Sequence, residues 1–198
     1  MTYRLIFTFF ILFFCANNIV LGELKSGRYV VNQSWSQERS FDRPYWVQVP
    51  KKTREQPLRL FIFLHGHGGN AERAQAMSRR FPKIASNFIM VYPQGYKNCW
   101  NIVSERSKAP DREFIESIVK DLIVHSNVRI GEVVLMGSSN GGALVNQIAI
   151  ETRMDHFSHY VTMVSQLNVW QHDGNDFKLK GGDNNYKEVA NPLSGKFI

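Results

Sequence analysis

At 198 residues, 43% of them hydrophobic, the chain has room for one packed domain and is too apolar to be a disordered segment. Its formal net charge of +7 is scattered over Arg39, Lys51, Lys52, Arg54, Arg79, Arg80 and others rather than gathered in blocks. That pattern describes a solvated surface and argues against nucleic-acid binding, leaving only a general pull toward acidic polymers.

The first residues stand apart. Arg4 precedes the apolar run Leu5–Phe14, and Val20 and Gly22 stand three residues and one residue before the bond to Glu23. This predicts a secretory signal peptide over residues 1–22, a mature domain over 23–198 and an extracellular protein without stable membrane insertion after cleavage. The rival reading, an uncleaved anchor, fits less well: the run breaks at Asn17-Asn18, short of the roughly 20 residues a span needs. Cleavage removes Cys15 and leaves Cys99 as an odd thiol, either free or lacking its partner. No Cys/His spacing points to a metal. Asn32-Gln33-Ser34 is a glycosylation sequon, which makes Asn32 a candidate on the secretory route.

Arg28–Val31 and Arg43–Pro50 read as strands, the second alternating Tyr45, Val47, Val49 against Trp46 and Gln48. Leu58–Leu64 is apolar on both faces, as in a buried parallel sheet, and runs into His65-Gly66-His67-Gly68-Gly69. Asn70 is placed to cap a helix carrying Ala74, Met77 and Phe81, which Pro82 disturbs or ends. Phe88–Tyr92 is a further buried strand. Asp111 opens a helix whose Phe114, Ile115, Ile118, Val119, Leu122 and Ile123 form one apolar face. Val133–Met136 is a strand, Ala143–Ile150 an interior helix, and Tyr160–Val164 a last strand. Beyond Ser165 no apolar period survives, until Lys196-Phe197-Ile198 looks like the start of another strand. Strands alternating with helices predict an α/β fold built on a parallel sheet, with loops for chemistry at the strands' carboxyl ends.

Between the last two of those strands lies Gly137-Ser138-Ser139-Asn140-Gly141-Gly142. Strand, tight Gly-x-Ser-x-Gly turn and helix form the setting in which a strained serine is lifted off the sheet edge as a nucleophile. Acyl transfer also needs donors for the developing oxyanion. The amide of Asn140 is one candidate, and the amide of His67, between glycines on the same sheet edge, is the other. A zinc site at His65 and His67 is disfavoured, since no carboxylate or third histidine stands at ligand spacing. Trp100 could line a pocket, but packing is the commoner use of a tryptophan. His156 and His159 read as helix-end or surface residues. Asp173, Asp176, Asp183 and His172 fall on the irregular segment after a single strand, so neither an acid nor a base is assigned.

Leu64-His65-Gly66-His67-Gly68-Gly69, Tyr92-Pro93-Gln94-Gly95, Cys99-Trp100-Asn101, Asp111-x-x-Phe114-Ile115 and the elbow occur in one order and spacing. From about Arg43 to about Ser165 the chain thereby resembles the esterase family of secreted poly(3-hydroxybutyrate) depolymerases and feruloyl or acetyl-xylan esterases. The resemblance implies an α/β-hydrolase fold and extracellular, cofactor-free hydrolysis, with Ser139 as nucleophile. The partner it implies is a polymeric or oligomeric ester, either a polyhydroxyalkanoate or an acylated polysaccharide. Family members complete the triad with a later Asp and His on motifs not matched here. The chain thus resembles the amino-terminal part of such an esterase, a sheet truncated before its last strands. Two expectations follow: a secreted serine esterase, or a catalytically inactive secreted remnant that at most binds polymer. A lectin-like module has only the aromatics in its favour.

Overall fold

The computed structural model describes residues 21–51, 56–181 and 184–192. The expected signal segment before Leu21, Asp183 and the closing Lys196–Ile198 lie outside the described residues.

Six strands form one sheet: β1 (Gly27–Trp35), β2 (Glu38–Gln48), β3 (Arg59–Leu64), β4 (Phe88–Pro93), β5 (Val133–Ser138) and β6 (Phe157–Met163). Their order is β1-β2-β4-β3-β5-β6. The neighbours β4-β3-β5-β6 are parallel, as expected of strands joined through helices. The sheet as a whole is mixed, because β1 and β2 pair antiparallel and β2 runs antiparallel to β4. The physical reason is the connection: Ser36-Gln37 is long enough for a hairpin and far too short for a crossover. β2 begins at Glu38 rather than Arg43, and β6 at Phe157 rather than Tyr160.

The described residues add four α-helices: α1 (Ala71–Ser78), α2 (Pro82–Ala85), α3 (Asp111–Leu122) and α4 (Asn140–Glu151). Asn70 caps α1 as its side chain predicts, its Oδ1 accepting the Arg73 N–H at 2.8 Å. Pro82 does not end α1, which stops at Ser78; it opens α2, where its missing N–H costs nothing. Phe81 consequently lies off α1 and is half exposed.

Both faces of the central strands are buried, in agreement with their unbroken apolar sequence. Leu60, Ile62 and Leu64 of β3 pack with Phe114, Ile115, Ile118 and Val119 of α3 and Leu144, Val145 and Ile148 of α4. Phe61 and Phe63 face the other way, toward Ala71 and Ala74 of α1. Period-two alternation thus sends consecutive β3 side chains into two separate cores.

From β3 the chain crosses to β4 on one side, then returns past β3 to place β5 on the other. Loops leaving the carboxyl ends of β3 and β5 therefore diverge at a topological switch point, where open α/β sheets form their crevices. Leu64 pairs with Gly137 at the very ends of those strands.

Candidate functional site

Ser139 sits between β5 and α4 with φ 51°, ψ −120°. A non-glycine residue held at positive φ is strained, and such strain persists only where neighbouring packing imposes it. Here the packing is backbone against backbone. A Cβ at Gly137 would lie 2.3 Å from the Gly141 carbonyl oxygen, and one at Gly141 would lie 2.4 Å from the Leu64 carbonyl oxygen. The close approach of α4 to the ends of β3 and β5 therefore requires both glycines. Gly141→Ala should destabilise the fold by about 1–3 kcal/mol, the range for forced overpacking; denaturant unfolding with no change in midpoint would contradict this.

The loop after β3 lies against the elbow. A Cβ on Gly66 would meet Ser139 Cβ at 3.5 Å. Among the described residues, neither the amide of His67 nor that of Asn140 donates to another group; the latter opens α4, where no intrahelical acceptor exists. The two donors expected for an oxyanion thus lie unspent on loops that flank Ser139.

The Asn140 side chain has a separate task. Its Oδ1 accepts the Trp100 N–H at 2.7 Å, while its Nδ2 donates to the Trp100 carbonyl and to Glu105 Oε1, both at 3.0 Å. Glu105 Oε2 in turn accepts the amides of Ile102 and Val103. One amide and one carboxylate thereby hold the 100–105 loop to the start of α4. Trp100 is fully buried, and its indole N–H donates to the His65 carbonyl at 2.7 Å, so packing and not pocket lining is its use.

A cavity of about 350 Å³ opens at Ser139, bounded by Glu105, Asn140, Ala143, Val164, Asn168 and Trp170. Val164, just past β6, is also at positive φ and exposed. Beyond it the irregular segment straps over the same end of the sheet. Gln171 Nε2 donates to the Ala143 carbonyl at 2.7 Å, and Tyr186 O–H donates to the Ile102 carbonyl at 2.7 Å.

No imidazole is hydrogen-bonded to Ser139 Oγ among the described residues. His156 immediately precedes β6, where its carbonyl accepts the Val133 N–H at the amino end of β5. That is roughly 17 Å along the strand from the elbow. His159 pairs with Val134, on the same far half of the sheet. His65 is buried, its ring nitrogens occupied by the Gly66 carbonyl, the Gly95 N–H and the Gln94 side-chain amide. His172 packs edge-on against Phe177, with Nδ1 accepting the Gly174 N–H at 3.2 Å.

Two features escaped the sequence reading. Arg43 and Asp111, both buried, form an ion pair at 2.5 Å. A signal existed for the first: carrying the Tyr45, Val47 alternation two residues back puts Arg43 on the inward face, where an arginine needs a carboxylate. The second is His65, whose ring is locked between Gly66 and Gly95; nothing in its spacing distinguishes it from His67. Cys99 is a free, buried thiol, its pKa pushed up by burial. Asn32 is exposed on β1, donating to Asp42 Oδ1 at 2.7 Å.

No family model matches the chain. Feruloyl esterase B from Neurospora crassa is 30% identical over 124 residues, covering 59% of this chain and 41% of that protein. Acetylxylan esterase from Coprinopsis cinerea is 31% identical over 113 residues, covering 52% of this chain and 30% of the relative. The chain thus spans less than half the length of these curated relatives. Among solved structures, acetyl xylan esterase from Aspergillus awamori matches with a TM-score of 0.53 at 17% identity, over 74% of this chain and 53% of that one. A fungal esterase from Rhizomucor miehei matches at 0.51 with 15% identity, over 79% of this chain and 50% of its own. The order of the parallel strands, the strained elbow and these likenesses together make the chain an α/β-hydrolase fold, similar in sequence over somewhat more than half of its length to feruloyl esterase B and acetylxylan esterase.

Proposed function

We propose that the chain is the nucleophile-bearing part of a secreted serine esterase acting on a polymeric or oligomeric ester. Ser139 attacks the ester carbonyl, and the amides of Asn140 and His67 receive the oxyanion. The observation that carries this reading is the strained Ser139, placed beside a loop whose His67 amide, like that of Asn140, has no acceptor among the described residues. No cofactor enters the proposed chemistry. The names of the two sequence relatives favour an acylated polysaccharide as substrate class over a polyhydroxyalkanoate. The test is release of ferulate and acetate from feruloylated and acetylated xylan, beside hydrolysis of poly(3-hydroxybutyrate). Release from xylan alone supports the reading, and release from the polyhydroxyalkanoate alone reverses the choice of substrate.

A second reading, a remnant that binds polymer without cleaving it, is favoured by one observation: among the described residues, Ser139 Oγ has no imidazole bonded to it. Binding to acylated xylan without acyl release would support it.

Secretion is part of the proposal. Gly22 and Glu23 are exposed, and among the described residues Leu24 is the first with a buried side chain. The Leu24 backbone is clasped by Asn127, through Oδ1 at 2.8 Å and Nδ2 at 3.1 Å. Cleavage after Gly22 leaves that clasp whole. Expressed in a secreting host, the protein should appear in the medium with Glu23 at its amino terminus, modified at Asn32 where glycosylation operates. Terminal sequencing that finds Met1 in a membrane fraction would refute this.

A further inference from the structure

His65 is enclosed where a plain strand-to-helix turn would need nothing. It is 4% exposed, and its ring lies 5.0 Å from that of Trp100. Glycines stand on two sides of it: a Cβ at Gly69 would meet Nδ1 at 3.3 Å, and one at Gly95 would meet Cε1 at 3.2 Å. Nε2 accepts the Gly95 N–H at 3.0 Å. An acceptor nitrogen carries no proton, so in the neutral ring the proton resides on Nδ1, which faces the Gly66 carbonyl oxygen at 2.8 Å. The same oxygen accepts the Gly69 N–H at 3.0 Å. Burial lowers the His65 pKa, with the Gly66 hydrogen bond and the field of Asp111 opposing, which keeps the ring neutral.

The Gly66 carbonyl and the His67 N–H belong to one peptide unit. That unit is planar and trans, so the two groups point in opposite directions. Two donors drawing the carbonyl oxygen inward over the turn necessarily turn the His67 N–H outward. We propose that His65 is a positioning residue: by holding the Gly66 carbonyl through Nδ1–H, it aims the His67 amide at the oxyanion that Ser139 chemistry would create. The backbone of His65 is fixed as well, by the Trp100 indole on its carbonyl, so the ring has a rigid base from which to act. The proposal rests on the reading of Ser139 as nucleophile, but the orientation of the peptide is a separate fact that can be measured by itself.

The experiment uses the full chain labelled with 15N. In the wild type, the His65 ring should show a protonated Nδ1 and an unprotonated, acceptor-type Nε2, and the His67 amide should exchange as an exposed N–H. His65→Asn keeps a donor near the Gly66 oxygen and loses the acceptor for Gly95; His65→Gln does the reverse. The His67 amide resonance should stay near its wild-type position in the Asn variant and move in the Gln variant. Phosphonylation of Ser139 by a fluorophosphonate, whose P=O oxygen would take the oxyanion position, should slow in the Gln variant by on the order of tenfold or more. The loss should stay below the 10²–10³ expected when a donor is deleted outright. A proton on Nε2, or a His67 amide indifferent to both substitutions, would overturn the proposal even if either variant folds poorly, since the tautomer is read on the wild type. If the probe fails to label the wild type, Ser139 lacks an activating base in this chain, as the absence of an imidazole on its Oγ among the described residues leads one to expect, and the nitrogen spectra alone decide the role of His65.

Discussion

Asp111→Ala should cost about 3–5 kcal/mol of stability, the range for leaving one partner of a buried ion pair uncompensated. Both side chains of the pair are 1% exposed. Asp111 Oδ1 binds Arg43 Nη2 at 2.5 Å, and Oδ2 accepts the Asn101 N–H at 2.6 Å. The guanidinium also donates to Gln33 Oε1 at 3.0 Å and lies 3.9 Å over the Phe114 ring. Burial pulls the Arg43 pKa down and Asp111 opposes it, so the partner offsets the cost of holding the guanidinium away from water. One carboxylate therefore ties β2, the 100–105 loop and the start of α3 together. Against a total stability of about 5–15 kcal/mol for a domain, the loss is large. Urea unfolding measures it, and a change below about 1 kcal/mol would contradict the account. Replacing both residues by apolar ones should recover most of the loss, because no buried charge is then left unpaired.

The second large effect concerns turnover. A serine hydroxyl without a base is a weak nucleophile at neutral pH. With no imidazole on Ser139 Oγ among the described residues, hydrolysis of p-nitrophenyl acetate should not exceed the roughly 10³–10⁴-fold over water that oxyanion stabilisation and binding supply when a triad member is lost. Ser139→Ala should then lower the rate far less than the ~10⁶-fold seen when the serine of a complete triad is removed. The assay compares this chain with Ser139→Ala and His172→Ala. Robust turnover abolished by both substitutions would overturn the prediction and identify His172 as the base. His156 and His159, read from the sequence as helix-end or surface residues, are set at the far end of the sheet by the register of β5 and β6.

Local pattern alone determined a good deal about this protein. Unbroken apolar runs marked β3, β4 and β5 as buried on both faces, and helical spacing marked the inward face of α3, because burial acts on each side chain according to the period of its own element. Asn70, Gly137 and Gly141 could be read because capping and tight turns depend on residues within a few positions of one another. The elbow and the loop at 65–69 could even be put on one edge of the sheet, since both follow strands of a parallel set. Pro82 misled for the same local reason: a proline that cannot continue one helix is well suited to begin the next.

Only the tertiary structure decided what meets across the sheet. That β3 lies beside β5, bringing Gly66 against Ser139, follows from the switch in strand order, which no short-range pattern encodes. The Arg43–Asp111 pair and the clasp of Asn140 on Trp100 join residues far apart in the chain, so the pattern around one partner does not name the other. The tautomer of His65 belongs to the same class: it is set by the Gly95 amide, which reaches the ring only because β4 packs next to β3.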